Sequence, residues 1–120
     1  MRDQWELASK KLFELTEAGT LKWERLDSQL ITGGNISGLA FLTETSGKKI
    51  VAYEEKTYGE DGFQDGTRPV IEFVVLESGE RYATEWRWPG TNFQYRLLDS
   101  IRFHVAEGQD FLETFLSAAS

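Results

Sequence analysis

The chain has 120 residues, 40% apolar and 28% charged, the size and make-up of one globular domain with a core of its own. It has no cysteine, which excludes disulfides, cysteine zinc sites and thiol chemistry. Its net charge of -7 disfavours nucleic acid and anionic membrane as partners and leaves a basic protein partner open.

Residues 2–18 read as a first helix. Trp5, Ala8, Leu12 and Leu15 fall at 3/4 spacing, with Leu7 and Phe13 widening the stripe. Gly19 suits the left-handed position that ends a helix. The same N-terminal stretch carries Asp3, Glu6, Glu14 and Glu17 and no unbroken apolar run, so no signal peptide is read there. No segment approaches the ~20 apolar residues of a membrane span. A cysteine-free small domain suits a reducing compartment, and the expected location is cytoplasmic.

"TLKWERL" (20–26) alternates, with Leu21 and Trp23 on one face, and reads as a short first strand. "DSQ" is a turn. In "LITGGNISG" the glycines Gly33, Gly34 and Gly38 predict a bulged or broken strand. Two β-rich runs then flank Ser46-Gly47, a two-residue hairpin centre. "GEDGFQDGTR" (59–68) is the longest loop signal in the chain. "PVIEFVVLESGERYATEWRW" reads as a second hairpin, opened by Pro69 and centred on Ser78-Gly79.

After Pro89-Gly90, Thr91 and Gln94 fit a capping box for a helix lined by Leu97, Leu98, Ile101 and Val105. Gly108 is its stop. Asp110 with Glu113 suggests a cap for a short last helix carrying Phe111, Leu112, Phe115 and Leu116. The order is one helix, five or six antiparallel strands in a meander, then one or two helices packed on one sheet face. This is a single α+β domain over 1–120. The other sheet face is left to solvent or to a partner.

Candidate chemistry is sparse. One histidine, His104, builds neither a zinc site nor a serine triad. Glu72, in the apolar run "VIEFVVL", would be a raised-pKa acid or base if its face were buried, unless Lys56 or Arg81 pairs with it across strands. Glu60, Asp61 and Asp65 lack the spacing of a calcium loop, and "TGGN" is no phosphate loop. No catalytic residue, metal ligand or cofactor is assigned. In "TEWRWPG" (84–90), Trp86 and Trp88 share one strand face and Arg87 takes the other. Trp86 is expected to pack under the helices and Trp88 to close the corner made by Pro89 and Gly90.

The stretch "LFELTEAGTLKWERL" (12–26) resembles the opening of a group of small uncharacterised bacterial proteins. In these, a helix carrying LT-x-x-G-x-[LI]-x-W leads into a sheet. The aromatic-proline corner "TEWRWPG" and the tail "LLDSIRFHVAEGQDFLETFL" fit the same outline. The resemblance implies a bacterial or phage-encoded cytoplasmic protein and carries over no activity or site residue.

The functional expectation is a non-enzymatic protein-interaction module of the accessory, inhibitor or immunity kind. Its exposed face would hold Phe63, Arg87 and Trp88, the residue types that interfaces favour. The partner is another protein or a second copy of the chain, with neither nucleic acid nor membrane involved. The alternative is a small-molecule binder with a pocket between sheet and helices, lined by Trp23, Tyr53, Trp86 and Tyr95.

Overall fold

A computed structural model describes residues 2–33, 35–77 and 79–118. Helix α1 (Arg2–Glu17) leads into strand β1 (Glu24–Leu26). A 3₁₀ turn (Ser28–Leu30) separates β1 from β2 (Ile36–Thr45). Strands β3 (Lys48–Tyr58), β4 (Gln64–Glu77) and β5 (Arg81–Arg87) follow, then helices α2 (Phe93–Val105) and α3 (Gly108–Ala118). The five strands pair antiparallel in chain order, the meander expected of an α+β chain.

The end of α1 shows how the motif around Thr16, Gly19 and Trp23 folds. Gly19 sits at φ +72°, its N–H donates to Thr16 O, and Thr20 N–H reaches back to Leu15 O. This is a Schellman stop, which reverses the chain within two residues. The reversal lays Trp23 against the helix it has just left. The indole Nε1 donates to Thr16 Oγ1 at 3.0 Å, and that hydroxyl donates to Leu12 O at 2.7 Å. Thr16 and Trp23 are therefore buried as a satisfied pair.

Ser46 (φ 53°) and Gly47 (φ 77°) make the tight primed turn expected between β2 and β3. Gly38 (φ 78°) lies in the bulge between Ser37 and Phe41, so of "LITGGNISG" only residues 36–38 join β2, as its bulged start, while Ile31 makes an isolated bridge and Thr32 and Gly33 turn. The second hairpin differs from the expected two-residue centre. Ser78 lies outside the described residues, and Glu80 joins the turn at φ 63° before Arg81 pairs with Glu77.

The long loop at 59–68 contracts to 59–63. Gln64 already pairs with Tyr58, and β4 runs on through Arg68 and Pro69. Polar cross-strand pairs hold this stretch in the ladder: Thr57 Oγ1 donates to Asp65, Thr67 Oγ1 to Glu54, and Arg68 to Glu55. Pro69 is thus inside a strand, not at its start. It is tolerated because β5 ends opposite Glu72, short of Pro69, so no neighbour on that side needs its missing N–H.

The helices also depart from expectation at their ends. The capping box does not form: Asn92 is the residue before α2, without a side-chain cap, and Gln94 Nε2 donates instead to Pro89 O at 2.7 Å. Gly108 starts α3 rather than stopping α2. The break falls at Glu107, which takes φ 56°, and Gly108 lies so close to the Phe103 ring that a Cβ there would collide with it. Leu7, read as part of the buried stripe of α1, faces outward.

Two apolar clusters lie back to back across the sheet. On the helix side, Leu12, Trp23, Phe41, Ile50, Ile71, Trp88, Leu97 and Ile101 pack between sheet, α1 and α2. On the other side, Leu26, Ile31, Leu42, Val51, Tyr53, Val70 and Val74 form a second cluster. That face is therefore covered rather than open. The sheet curls until the chain after β1 meets β5, where Ile31 bridges Tyr82 and Thr32 N–H donates to Tyr82 O at 2.9 Å.

Candidate functional site

Strand alternation, with a bulge in β5 between Thr84 and Trp86, puts Tyr53 and Glu55 of β3, Arg68 and Glu72 of β4, and Thr84 and Arg87 of β5 on the concave face. Register brings them into one network, since Val51 pairs with Glu72, Glu72 with Arg87, and Glu55 with Arg68. Glu72 is only 2% exposed, and both its oxygens are taken. Oε1 accepts from Tyr53 OH at 2.7 Å and Thr84 Oγ1 at 3.1 Å, and Oε2 accepts from Arg87 Nε at 3.0 Å.

Arg87 forks further. Nη2 donates to Glu55 Oε2 at 2.7 Å and Nη1 to Glu55 Oε1 at 3.3 Å. Arg68 closes on the same carboxylate at 2.6 Å. Two carboxylates and two guanidinium groups thus balance each other across three strands. The partner expected for Glu72, Lys56 or Arg81, is replaced by Arg87.

These contacts bear on the protonation of Glu55, Arg87 and Tyr53. The hydrogen bond from Arg87 holds the Glu55 carboxyl below its ordinary range; burial opposes this and Arg68 adds to it. The bond to Glu55 likewise locks Arg87 in its charged form. Burial first, and then donation to Glu72, pushes the Tyr53 phenol well above its ordinary range. Every strong donor here already has an acceptor, so the arrangement staples β3, β4 and β5 together.

The other face of "TEWRWPG" packs against α1. Trp5 lies with its ring 4.6 Å from Trp86 and 4.8 Å from Trp88, and Phe73 lies 5.4 Å from Trp88. Trp88 is buried at 6% exposure, while Trp86, nearer the edge, is 42% exposed. The expected roles of the two tryptophans are thus exchanged in part: Trp88 belongs to the core, and Trp86 is the ring that reaches water.

The three residues read as an interaction face do not share one. Phe63 is at the tip of the β3–β4 hairpin at 75% exposure, Arg87 is in the concave network, and Trp88 is in the opposite core. The residues expected to line one pocket are likewise dispersed. Trp23 opens onto a shallow cavity of about 270 Å³ beside Leu42 and Tyr82, and Tyr95 onto another of about 270 Å³ beside Arg68 and Asn92. Tyr53 is buried on the far side of the sheet.

The last helix, expected to pack on the sheet face with α2, instead presents an open apolar surface. Helix α3 has no buried residue, and Phe111, Leu112, Phe115 and Leu116 are each 41–64% exposed. Phe111 and Phe115 stack on each other at 5.3 Å, one turn apart. The signal was the apolar stripe itself, arriving after α2 had already supplied the cover for the sheet. Comparison with known protein families, curated proteins and solved structures gives no match.

Proposed function

We propose that the chain is a non-enzymatic protein-interaction module, of the accessory, inhibitor or immunity kind, working in the cytoplasm, and that α3 is the element it presents. The observation that carries this reading is the open apolar face of α3. A helix of 11 residues with four large apolar side chains and none of them buried is out of balance with its own domain. Helices of this kind complete their burial in a partner's groove, with anchors one turn apart. Phe63, exposed on the β3–β4 hairpin, is a second contact candidate. The concave network supports a binding rather than catalytic role, because its carboxylates are consumed in holding strands together.

The test compares the wild-type chain with a Phe111→Ser, Phe115→Ser double variant in recovering protein partners from cells. The variant keeps the wild-type melting temperature and loses the partner. Recovery of the same partner at undiminished yield by the folded variant refutes the reading.

A further inference from the structure

We infer that α3 docks into an apolar groove rimmed by lysine and arginine on a different protein, and not onto a second copy of this chain. The inference rests on the reading of α3 as the presented element.

Charge decides between the two occupants. Residues 103–118 include Glu107, Asp110 and Glu113 and no lysine or arginine. At 100° per residue Glu113 falls about 60° beyond Leu116, at one margin of the apolar stripe, whereas Asp110, in the first turn, lies on the opposite side of the helix. A second copy would bring its own Glu113 to the margin of the same contact, on a body that also carries a net charge of -7. Like charges brought together at an interface oppose association, whereas a basic rim complements them and speeds encounter.

Shape points the same way. At 100° per residue, positions 111, 112, 115 and 116 span an arc of about 140°. That is wider than the seam of a helix pair and suits a groove that encloses the helix. The two rings and two leucines expose on the order of 400 Å² of apolar surface. This is about half of what each partner contributes to a standard interface. A groove makes up the difference by covering the flanks of α3 as well, which a flat pairing of two copies does not.

The elbow fixes the direction of presentation. Glu107 adopts φ 56°, Phe111 N–H donates to Glu107 O, and Gly108 lies on the Phe103 ring, so α3 leaves the body at a set angle.

The test places a photo-crosslinking amino acid at position 115 of the full chain in its host cells, with position 39 as a control. The protein joined at 115 but not at 39 is purified and titrated against the full chain. Affinity is expected to fall about tenfold or more between roughly 0.05 M and 0.5 M salt. A Glu107→Lys, Glu113→Lys variant weakens it by a similar factor at low salt, and Phe115→Ser abolishes it.

Crosslinking to a second copy overturns the inference. So does a partner whose affinity is unchanged or tightened by salt. If Phe115→Ser still removes binding in that case, the interaction-module reading survives and only the basic rim is lost. Absence of any crosslink at 115, with no effect of Phe115→Ser on any partner, overturns both.

Discussion

Glu72 sits in the middle of "VIEFVVL", where a carboxylate looks misplaced. Taking it out of water is costly unless each oxygen finds a donor, and the fold supplies three. Strand alternation was enough to put Tyr53 with Glu55 on one face of β3 and Glu72 with Val70 and Val74 on one face of β4. It was not enough to pair them. The pairing depends on register, and β5 carries a bulge that sets Thr84 opposite Val74 and Trp86 opposite Phe73, with Glu85 between. An inserted residue of that kind leaves no mark in hydrophobic pattern, so Lys56 and Arg81, the cross-strand partners expected for Glu72, were the wrong ones. Glu72→Ala would strand the Tyr53 hydroxyl and free one side of Arg87. We expect a loss of about 3 kcal/mol, the order seen when one member of a buried pair is removed. Urea unfolding checks it: the midpoint drops while the slope stays at the wild-type value. A loss under about 1 kcal/mol would show that Arg87 and Tyr53 find other partners.

Among the elements, the β2–β3 hairpin and the end of α1 were legible because each rests on local chemistry. Ser46-Gly47 can adopt the two positive φ angles of a tight turn, and Gly19 can adopt the one that a Schellman stop requires. The start of β4 and the start of α2 were not legible. In the first, glycines and aspartates that read as a loop are held in the ladder by side-chain bonds across strands. In the second, the carboxamide that a capping box would use is drawn to Pro89 O. Trp86 of β5 and Trp88 just beyond it lie equally close to Trp5 of α1, yet only Trp88 joins the buried cluster, a difference that no spacing rule reports. Their energetic weights should separate likewise. Trp88→Ala is expected to cost about 3–5 kcal/mol, as for a buried large aromatic. Trp86→Ala is expected to cost less than half as much, because part of that ring already faces water. Iodide quenching gives an independent reading, since Trp86→Phe should remove most of the quenchable emission while the Trp88 variant, where folded, keeps it. Equal costs for the two positions would mean that the aromatic cluster acts as one unit around Trp5.

At the scale of the molecule, two apolar clusters share one sheet, and the strand pairs between them have no independent half to retreat to. Opening either face exposes the back of the other. Helix α3 stands outside this arrangement. Its amphipathic pattern was readable as a helix with one face meant for burial, but pattern alone does not name the surface that buries it. Only the finished fold shows that α1 and α2 leave it no place on the sheet. The consequence is an uneven stability. A helix of 11 residues in water is marginal without tertiary support, and α3 draws little of it from α2. Hydrogen exchange should therefore show α3 amides opening locally, while those of central β3 open only with the whole domain. A difference of roughly a thousandfold in protection is expected in the free chain. Binding of the partner should slow exchange in α3 and leave β3 unchanged, because the groove supplies the burial that the domain does not. If α3 were instead as protected as α2 in the free chain, its apolar face would already be covered by something of the chain's own, and no partner would be needed to complete it.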